Sequence, residues 1–102
     1  EPTIYTVGGV DYYDFEGLIK VGSIIYIKNE DTMIPYLEVL DFGEDKQNPD
    51  GTSISNAIYV KELNPVFGDA STLWRDLDEM LRHNQETRET EGSPVYYVEA
   101  TN

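Results

Sequence analysis

The sequence predicts an α+β fold that is mostly β: a small, curved antiparallel sheet or small barrel, with one helix packed on it in the C-terminal half. Several short segments rich in β-branched and aromatic residues are separated by Gly, Asn, Asp and Pro. In contrast, residues 71–83 change to helical spacing. A chain of 102 residues has the size of one domain, so we expect a single domain over residues 1–102.

Two short strands joined by a glycine turn are expected at the beginning of the sequence. Residues 4–7 form an apolar-rich run, and residues 10–15 form a second short strand. Gly8 and Gly9 lie between them and suit a hairpin, because glycine reaches positive φ without steric cost.

Residues 21–45 (VGSIIYIKNEDTMIPYLEVLDFGED) predict a ribbon of two longer strands. Nearly every position in residues 20–28 is apolar, which indicates a strand covered on both faces. Residues 29–32 (NEDT) supply turn chemistry, since Asn and Asp side chains bond their own backbone. The returning strand is predicted at residues 36–42, with Pro35 at its start, where a missing amide donor matters least.

The middle of the chain predicts a loop followed by another strand of the core. Residues 43–52 contain Gly, Asp, Asn and Pro in close order, which is typical of an exposed loop. Residues 54–60 then alternate between two sets of side chains, as a strand does. Asn64 and Pro65 end this strand, because proline biases the preceding residue away from regular structure.

One helix and one further strand are predicted in the C-terminal third. Leucine and methionine recur at helical spacing over residues 71–83, which predicts a helix of about three turns with Trp74 beside its apolar side chains. Asp69 or Ser71 can be its N-cap. Residues 84–93 are polar and charged and predict a mobile linker, and residues 94–99 predict the last strand.

The charge of the chain restricts its partners. Twenty Asp and Glu against seven Lys and Arg give a formal net charge of -13. Such a surface repels phosphate backbones, so direct binding to nucleic acid is not expected. Basic proteins or peptides, or the DNA-binding groove of another protein, are the expected partners. A charged surface that only keeps the domain soluble explains the composition equally well.

Composition also indicates the compartment. The chain has no cysteine, which excludes disulfides and thiolate chemistry. No segment approaches the roughly 20 apolar residues of a membrane span. The sequence lacks an Asn-x-Ser/Thr glycosylation site. We therefore expect an intracellular protein that does not contact membranes.

The sequence lacks the common signatures of catalysis and of metal or cofactor binding. His83 is predicted in the last turn of the helix, where the helix dipole favours a cation. Residues 46–57 resemble a calcium loop, but Lys46 and Ala57 take the first and last ligand positions, which should be acidic. Adjacent acids such as Glu44 and Asp45 are expected from composition alone. We expect a protein that is not an enzyme and that binds neither metal nor cofactor.

Tyrosines next to acidic residues are the best candidates for a binding site. The chain has eight Tyr, three Phe and one Trp. Aromatic rings with neighbouring carboxylates can hold a methylated ammonium or an arginine by cation–π contact. The same rings can instead fill the core of a small barrel. The candidate residues are Asp11, Tyr12, Tyr13, Asp14, Tyr36, Glu38, Glu44, Asp45 and Trp74.

The segment GLIKVGSIIYIKNEDTMIPYLEVLDFGED resembles the opening of bromo-adjacent homology (BAH) domains. In that family a Val-Gly-Asp-x-Val-Tyr-type strand leads through an acidic turn to a Pro-Tyr strand. The matching residues are Val21, Gly22, Tyr26, Ile27, Pro35, Tyr36, Val39, Glu44 and Asp45. The resemblance covers about a quarter of the chain. It implies an SH3-like β-barrel that binds protein tails in chromatin, and hence a nuclear location.

Two classes of function therefore remain open. In the first, the domain is a chromatin-type reader that recognises a basic protein or peptide through tyrosines and carboxylates. In the second, it is a small acidic inhibitor or DNA mimic of the phage or mobile-element type, located in the host cytoplasm, that blocks a nucleic-acid-binding protein. A reader should gather acids around an aromatic depression, whereas a mimic should align them along one face at the spacing of phosphates.

Overall fold

The computed structural model describes residues 3–15, 18–65 and 71–100. These residues are 55% strand and 16% helix, and they form one open antiparallel sheet of seven strands with a single helix. This confirms the predicted mostly-β class. The strands follow each other across the sheet in the order β1-β2-β7-β3-β4-β5-β6. The elements are β1 (Ile4–Val7), β2 (Val10–Asp14), β3 (Ile24–Asn29), β4 (Thr32–Gln47), β5 (Ser53–Glu62), β6 (Thr72–Asp76), α1 (Leu77–Glu91) and β7 (Tyr96–Glu99).

Both predicted N-terminal hairpins are confirmed. Strand β1 pairs with β2 around Gly8 and Gly9, whose φ angles of 60° and 81° need glycine. Strand β3 pairs with β4 through the predicted acidic turn, where Glu30 has a φ of 56°. Pro35 lies inside β4 and not at its start. The register shifts between Ile25 and Tyr26 next to it, and such a bulge accommodates the missing amide donor.

Strand β4 is longer than the sequence predicts. The predicted loop at residues 43–52 is wrong in its first half, because the strand runs to Gln47. Gly43 pairs with Ala57 and Gln47 with Ser53, so β5 extends this part of the hairpin by backbone pairing. Pairing with a regular neighbour outweighs the turn preference of the local sequence.

The helix lies further along the chain than predicted. Residues 72–76, including Trp74, form edge strand β6 paired with β5, so the prediction of a helix at residues 71–83 is wrong in its first part. The N-cap is Asp76, whose Oδ1 accepts the Glu79 N–H at 3.1 Å. Ser71 is not the cap, and Asp69 lies outside the described residues.

The predicted linker at residues 84–93 is also wrong, because α1 continues to Glu91 and ends at Gly92, a C-cap with a φ of 83°. His83 is therefore in the middle of the helix. The buried side chains of α1 are Leu77, Met80 and Asn84, which recur at helical spacing. The buried face of α1 includes the polar residue Asn84, so hydrophobic spacing does not predict the second half of the helix. The Asn84 amide is buried because it forms hydrogen bonds, and not because it packs against apolar side chains.

The core lies between α1 and one face of the sheet. Ile25 is fully buried there, whereas Ile24 and Tyr26 on the opposite face of β3 are only half-buried. The prediction that this strand is covered on both faces is therefore right for the face of Ile25, but the face of Ile24 and Tyr26 is only partly covered. The core side chains are Phe15, Ile19, Ile25, Leu37, Val39, Ile58, Val60, Leu77, Met80, Tyr96 and Val98.

Candidate functional site

A depression of about 170 Å³ lies on the sheet face opposite the core. Its lining residues are Gly22, Ile24, Tyr26 and Glu99. Ile24 and Tyr26 share a face because side chains alternate along β3, and Glu99 reaches the same face from β7. The depression therefore combines apolar, aromatic and carboxylate surface.

The order of the strands brings the tyrosine and the carboxylate together. Tyr26 of β3 pairs with Tyr97 of β7, and Tyr12 of β2 pairs with Glu99 of β7. The Tyr26 hydroxyl donates a hydrogen bond to Glu99 Oε1 at 2.9 Å. This bond fixes the carboxylate beside the ring.

Two further tyrosines, Tyr12 and Tyr97, pack beside Tyr26 on the same face of the sheet. The Tyr12 ring meets the Tyr26 ring edge-on at 5.4 Å and lies 6.4 Å from the Tyr97 ring. Tyr12 is 6% exposed and Tyr97 is 1% exposed, so both rings are packing partners and not contact surface. Tyr26 is half-buried and is the tyrosine that lines the depression.

Burial and the nearby carboxylate keep the tyrosine hydroxyls protonated. Burial, the hydrogen bond to Glu99 and the charge of Glu99 together raise the pKa of Tyr26 to about 12. Burial, and then the charge of Glu99, also raise the pKa of Tyr12. Near neutral pH, Tyr26 is therefore a hydrogen-bond donor and Glu99 an acceptor.

Glu38 lies next to the depression on the same face of the sheet. It is directly opposite Ile24 across the β3–β4 ladder and opposite Lys61 across the β4–β5 ladder. Directly opposed residues have Cβ atoms roughly 4.5–5.5 Å apart. Glu38 therefore adds a second carboxylate at the margin, with Lys61 as its cross-strand neighbour.

The predicted acidic–aromatic run on β2 does not form a surface site. Asp14 is 1% exposed and forms an ion pair with Arg88 of α1 at 2.9 Å. Tyr13 packs against the core. Asp11 is exposed, and its Oδ1 accepts the Thr6 hydroxyl at 2.6 Å. Of the run, Tyr12 is the residue that contacts Tyr26, through its ring, and its own side chain is buried.

Two predicted aromatic residues already hold cations of the protein itself. Lys46 Nζ lies 4.9 Å from the centroid of the Trp74 ring. Arg75 lies 6.0 Å from the centroid of the Tyr36 ring and donates to the Tyr36 hydroxyl at 3.2 Å. Among the described residues, no lysine or arginine is placed over the Tyr26 ring in this way.

Glu44 and Asp45 lie on the distal half of β4, apart from the lining residues of the depression. Both are exposed, and Asp45 has a φ of 53° inside the strand.

The sequence does not predict that Tyr26 and Glu99 form a pair. The presence of acidic residues next to tyrosines indicates a candidate binding site, but the contact between these two residues depends on the position of β7 between β2 and β3.

Comparisons with family models, curated proteins and solved structures found no match to this chain. Within residues 3–15, 18–65 and 71–100, no three acidic or histidine side chains are placed to hold a metal ion. In the same part of the chain, no helix has the length and apolar character needed to cross a membrane.

Proposed function

We propose that this domain is a non-enzymatic protein-interaction module that binds a basic side chain of a partner protein or peptide in the depression around Tyr26 and Glu99. The main observation in support is the Glu99 carboxylate held at 2.9 Å by the hydroxyl of a partly exposed tyrosine. Trp74 and Tyr36 hold the protein's own cations, whereas Tyr26 holds none from the described residues.

The energies of the contacts fit a modest affinity. A cation over an aromatic ring contributes about 0.5–2 kcal/mol, depending on its desolvation. A hydrogen bond to a charged group contributes about 1.5–3 kcal/mol. Together they support binding near the millimolar range for a single side chain, so a peptide needs further contacts to bind more tightly. The net charge of -13 favours the approach of a basic partner.

A titration with a basic peptide tests this proposal. Backbone amide signals of the isotope-labelled domain are followed by NMR while the peptide is added at low and at physiological salt. We expect the largest shifts at Gly22, Ile24, Tyr26 and Glu99. Glu99→Gln should weaken binding about tenfold, since it removes one charge-assisted hydrogen bond. Glu86→Gln, the same change on the exposed surface of α1, should leave binding unchanged.

Two results would contradict the proposal: shifts confined to other surfaces, or equal affinity of the Glu99→Gln variant. The DNA-mimic hypothesis is tested in parallel by capture of partners from lysate in the presence of duplex DNA. If DNA displaces a DNA-binding partner and Glu99→Gln does not weaken its capture, an acidic inhibitor is the better explanation. A basic tail retained through Glu99 would instead support a chromatin-type reader and a nuclear location.

A further inference from the structure

We infer that the depression selects arginine over lysine and over methylated lysine, an inference that rests on the proposed function. The first reason is the number of exposed rings. A quaternary ammonium is bound best by a cage of several aromatic faces. Here Tyr12 and Tyr97 are 6% and 1% exposed, so among the described residues Tyr26 is the one aromatic residue that lines the depression. The site therefore offers one aromatic face to a ligand, and not the several faces of an aromatic cage.

The second reason is the placement of the carboxylate. Glu99 lies beside the Tyr26 ring because its carboxylate accepts a hydrogen bond from the Tyr26 hydroxyl. A guanidinium is planar and carries five N–H donors, so it can stack on a ring while it donates to groups at the ring's edge. The ammonium of lysine is compact and strongly hydrated, and it cannot make both contacts in one plane.

The third reason is a contact of the same kind inside this protein. The Arg75 guanidinium lies near the Tyr36 ring and donates to the Tyr36 hydroxyl at 3.2 Å. Lys46, in contrast, lies over the Trp74 ring, 4.9 Å from its centroid. The protein therefore already uses arginine where a tyrosine ring and its hydroxyl are contacted together. The Tyr26 site offers the same two groups and adds a carboxylate.

The experiment compares three peptides that are identical except for one central residue: arginine, lysine or trimethyl-lysine. Each is titrated into the full chain, and the amide signals of Gly22, Ile24, Tyr26 and Glu99 are followed by NMR. We expect the arginine peptide to bind at least about tenfold more tightly than either other peptide, the factor that one additional charge-assisted hydrogen bond contributes.

Two variants test whether the Tyr26 hydroxyl contributes to the preference for arginine. Tyr26→Phe keeps the ring and removes the hydroxyl, so the preference for arginine should fall several-fold while binding persists. Glu86→Gln, on the exposed surface of α1, should leave the preference unchanged.

The outcomes distinguish the inference from the proposed function. If the lysine or trimethyl-lysine peptide shifts the same signals with equal or higher affinity, the arginine preference is wrong and the proposed function stands. If no peptide shifts these signals, the proposed function is wrong and the inference fails with it. A Tyr26→Phe variant with an unchanged preference would also contradict the inference, because the hydroxyl would then have no part in recognition.

Discussion

Tyr26 and Glu99 show how the chemistry of the depression depends on two residues that are 73 positions apart in the sequence. Neither residue has an unusual local pattern. Their hydrogen bond has two effects, since it orients the carboxylate and it holds the phenol in its protonated form. A change at Glu99 should therefore be visible in the titration of Tyr26.

We predict that Tyr26 titrates near pH 12 and that Glu99→Gln lowers its pKa toward the ordinary value of 10.0. Burial is the largest cause of the raised pKa and remains in the variant, so the pKa should stay above 10.0. Since the folded pKa is the higher one, this group stabilises the fold below pH 10, and its contribution is lost between pH 10 and 12. NMR of the tyrosine Cζ carbons measures the pKa of Tyr26 in the original protein and in the variant. An unchanged pKa in Glu99→Gln would show that Glu99 does not contribute to the raised pKa of Tyr26.

Gly43 has a different role, because it makes room for the Trp74 ring on the sheet. A Cβ atom at this position would lie 2.8 Å from ring atoms of Trp74 and 2.8 Å from Lys46 Cε. The lysine can move away, but the indole also packs on Tyr59 at a centroid distance of 5.0 Å. We predict that Gly43→Ala destabilises the domain by about 1–3 kcal/mol.

Denaturant unfolding followed by fluorescence tests this prediction, because Trp74 is the one tryptophan of the chain. Its emission should also shift in the folded variant as the ring is displaced. Ser55→Ala, at an exposed position of β5, is the control and should change stability by less than about 0.5 kcal/mol. A Gly43→Ala variant as stable as this control would show that the ring moves at no cost.

At the scale of elements, the sequence predicted most strands but misplaced the helix. Alternation and turn residues were sufficient for β1, β2, β3 and β5, because these strands have clear local patterns. Leu73 and Leu77 matched a helical period by chance, although Leu73 belongs to a strand and Leu77 to the helix. The polar second half of α1 forms because it contains several Gln, Glu and Arg residues, which are good helix formers, and because Asn84 and Arg88 attach it to the sheet.

We predict that Asn84→Ala destabilises the domain by more than about 2 kcal/mol. The Asn84 amide donates to the Tyr96 carbonyl at 3.0 Å and accepts the Val95 and Tyr96 N–H groups at 3.0 and 2.8 Å. Its removal leaves buried backbone groups without these partners. Urea unfolding gives the change, and hydrogen exchange at Tyr96 should accelerate. Gln85→Ala, at the exposed neighbouring position, should have little effect, and equal stability of the two variants would contradict this role.

At the scale of the whole molecule, the net charge of -13 opposes compaction. The Asp14–Arg88 ion pair is partly buried and should be screened less by salt than the repulsion among exposed acids. We predict that the melting temperature rises as salt increases from about 0.01 to 0.15 M, where the screening length falls from about 30 to 8 Å. The variant Glu86→Lys should show a smaller rise. A constant or falling melting temperature would mean that attraction between charges dominates.

The position of β7 also sets the order in which the molecule can fold. This strand comes last along the described sequence, yet it lies between β2 and β3 in the sheet. During synthesis, β1 and β2 can form their hairpin early, but they cannot join the other strands until residues 96–99 have left the ribosome. The depression thus forms only when β7 pairs with both β2 and β3, and until then the chain exposes the edges of two incomplete sheets.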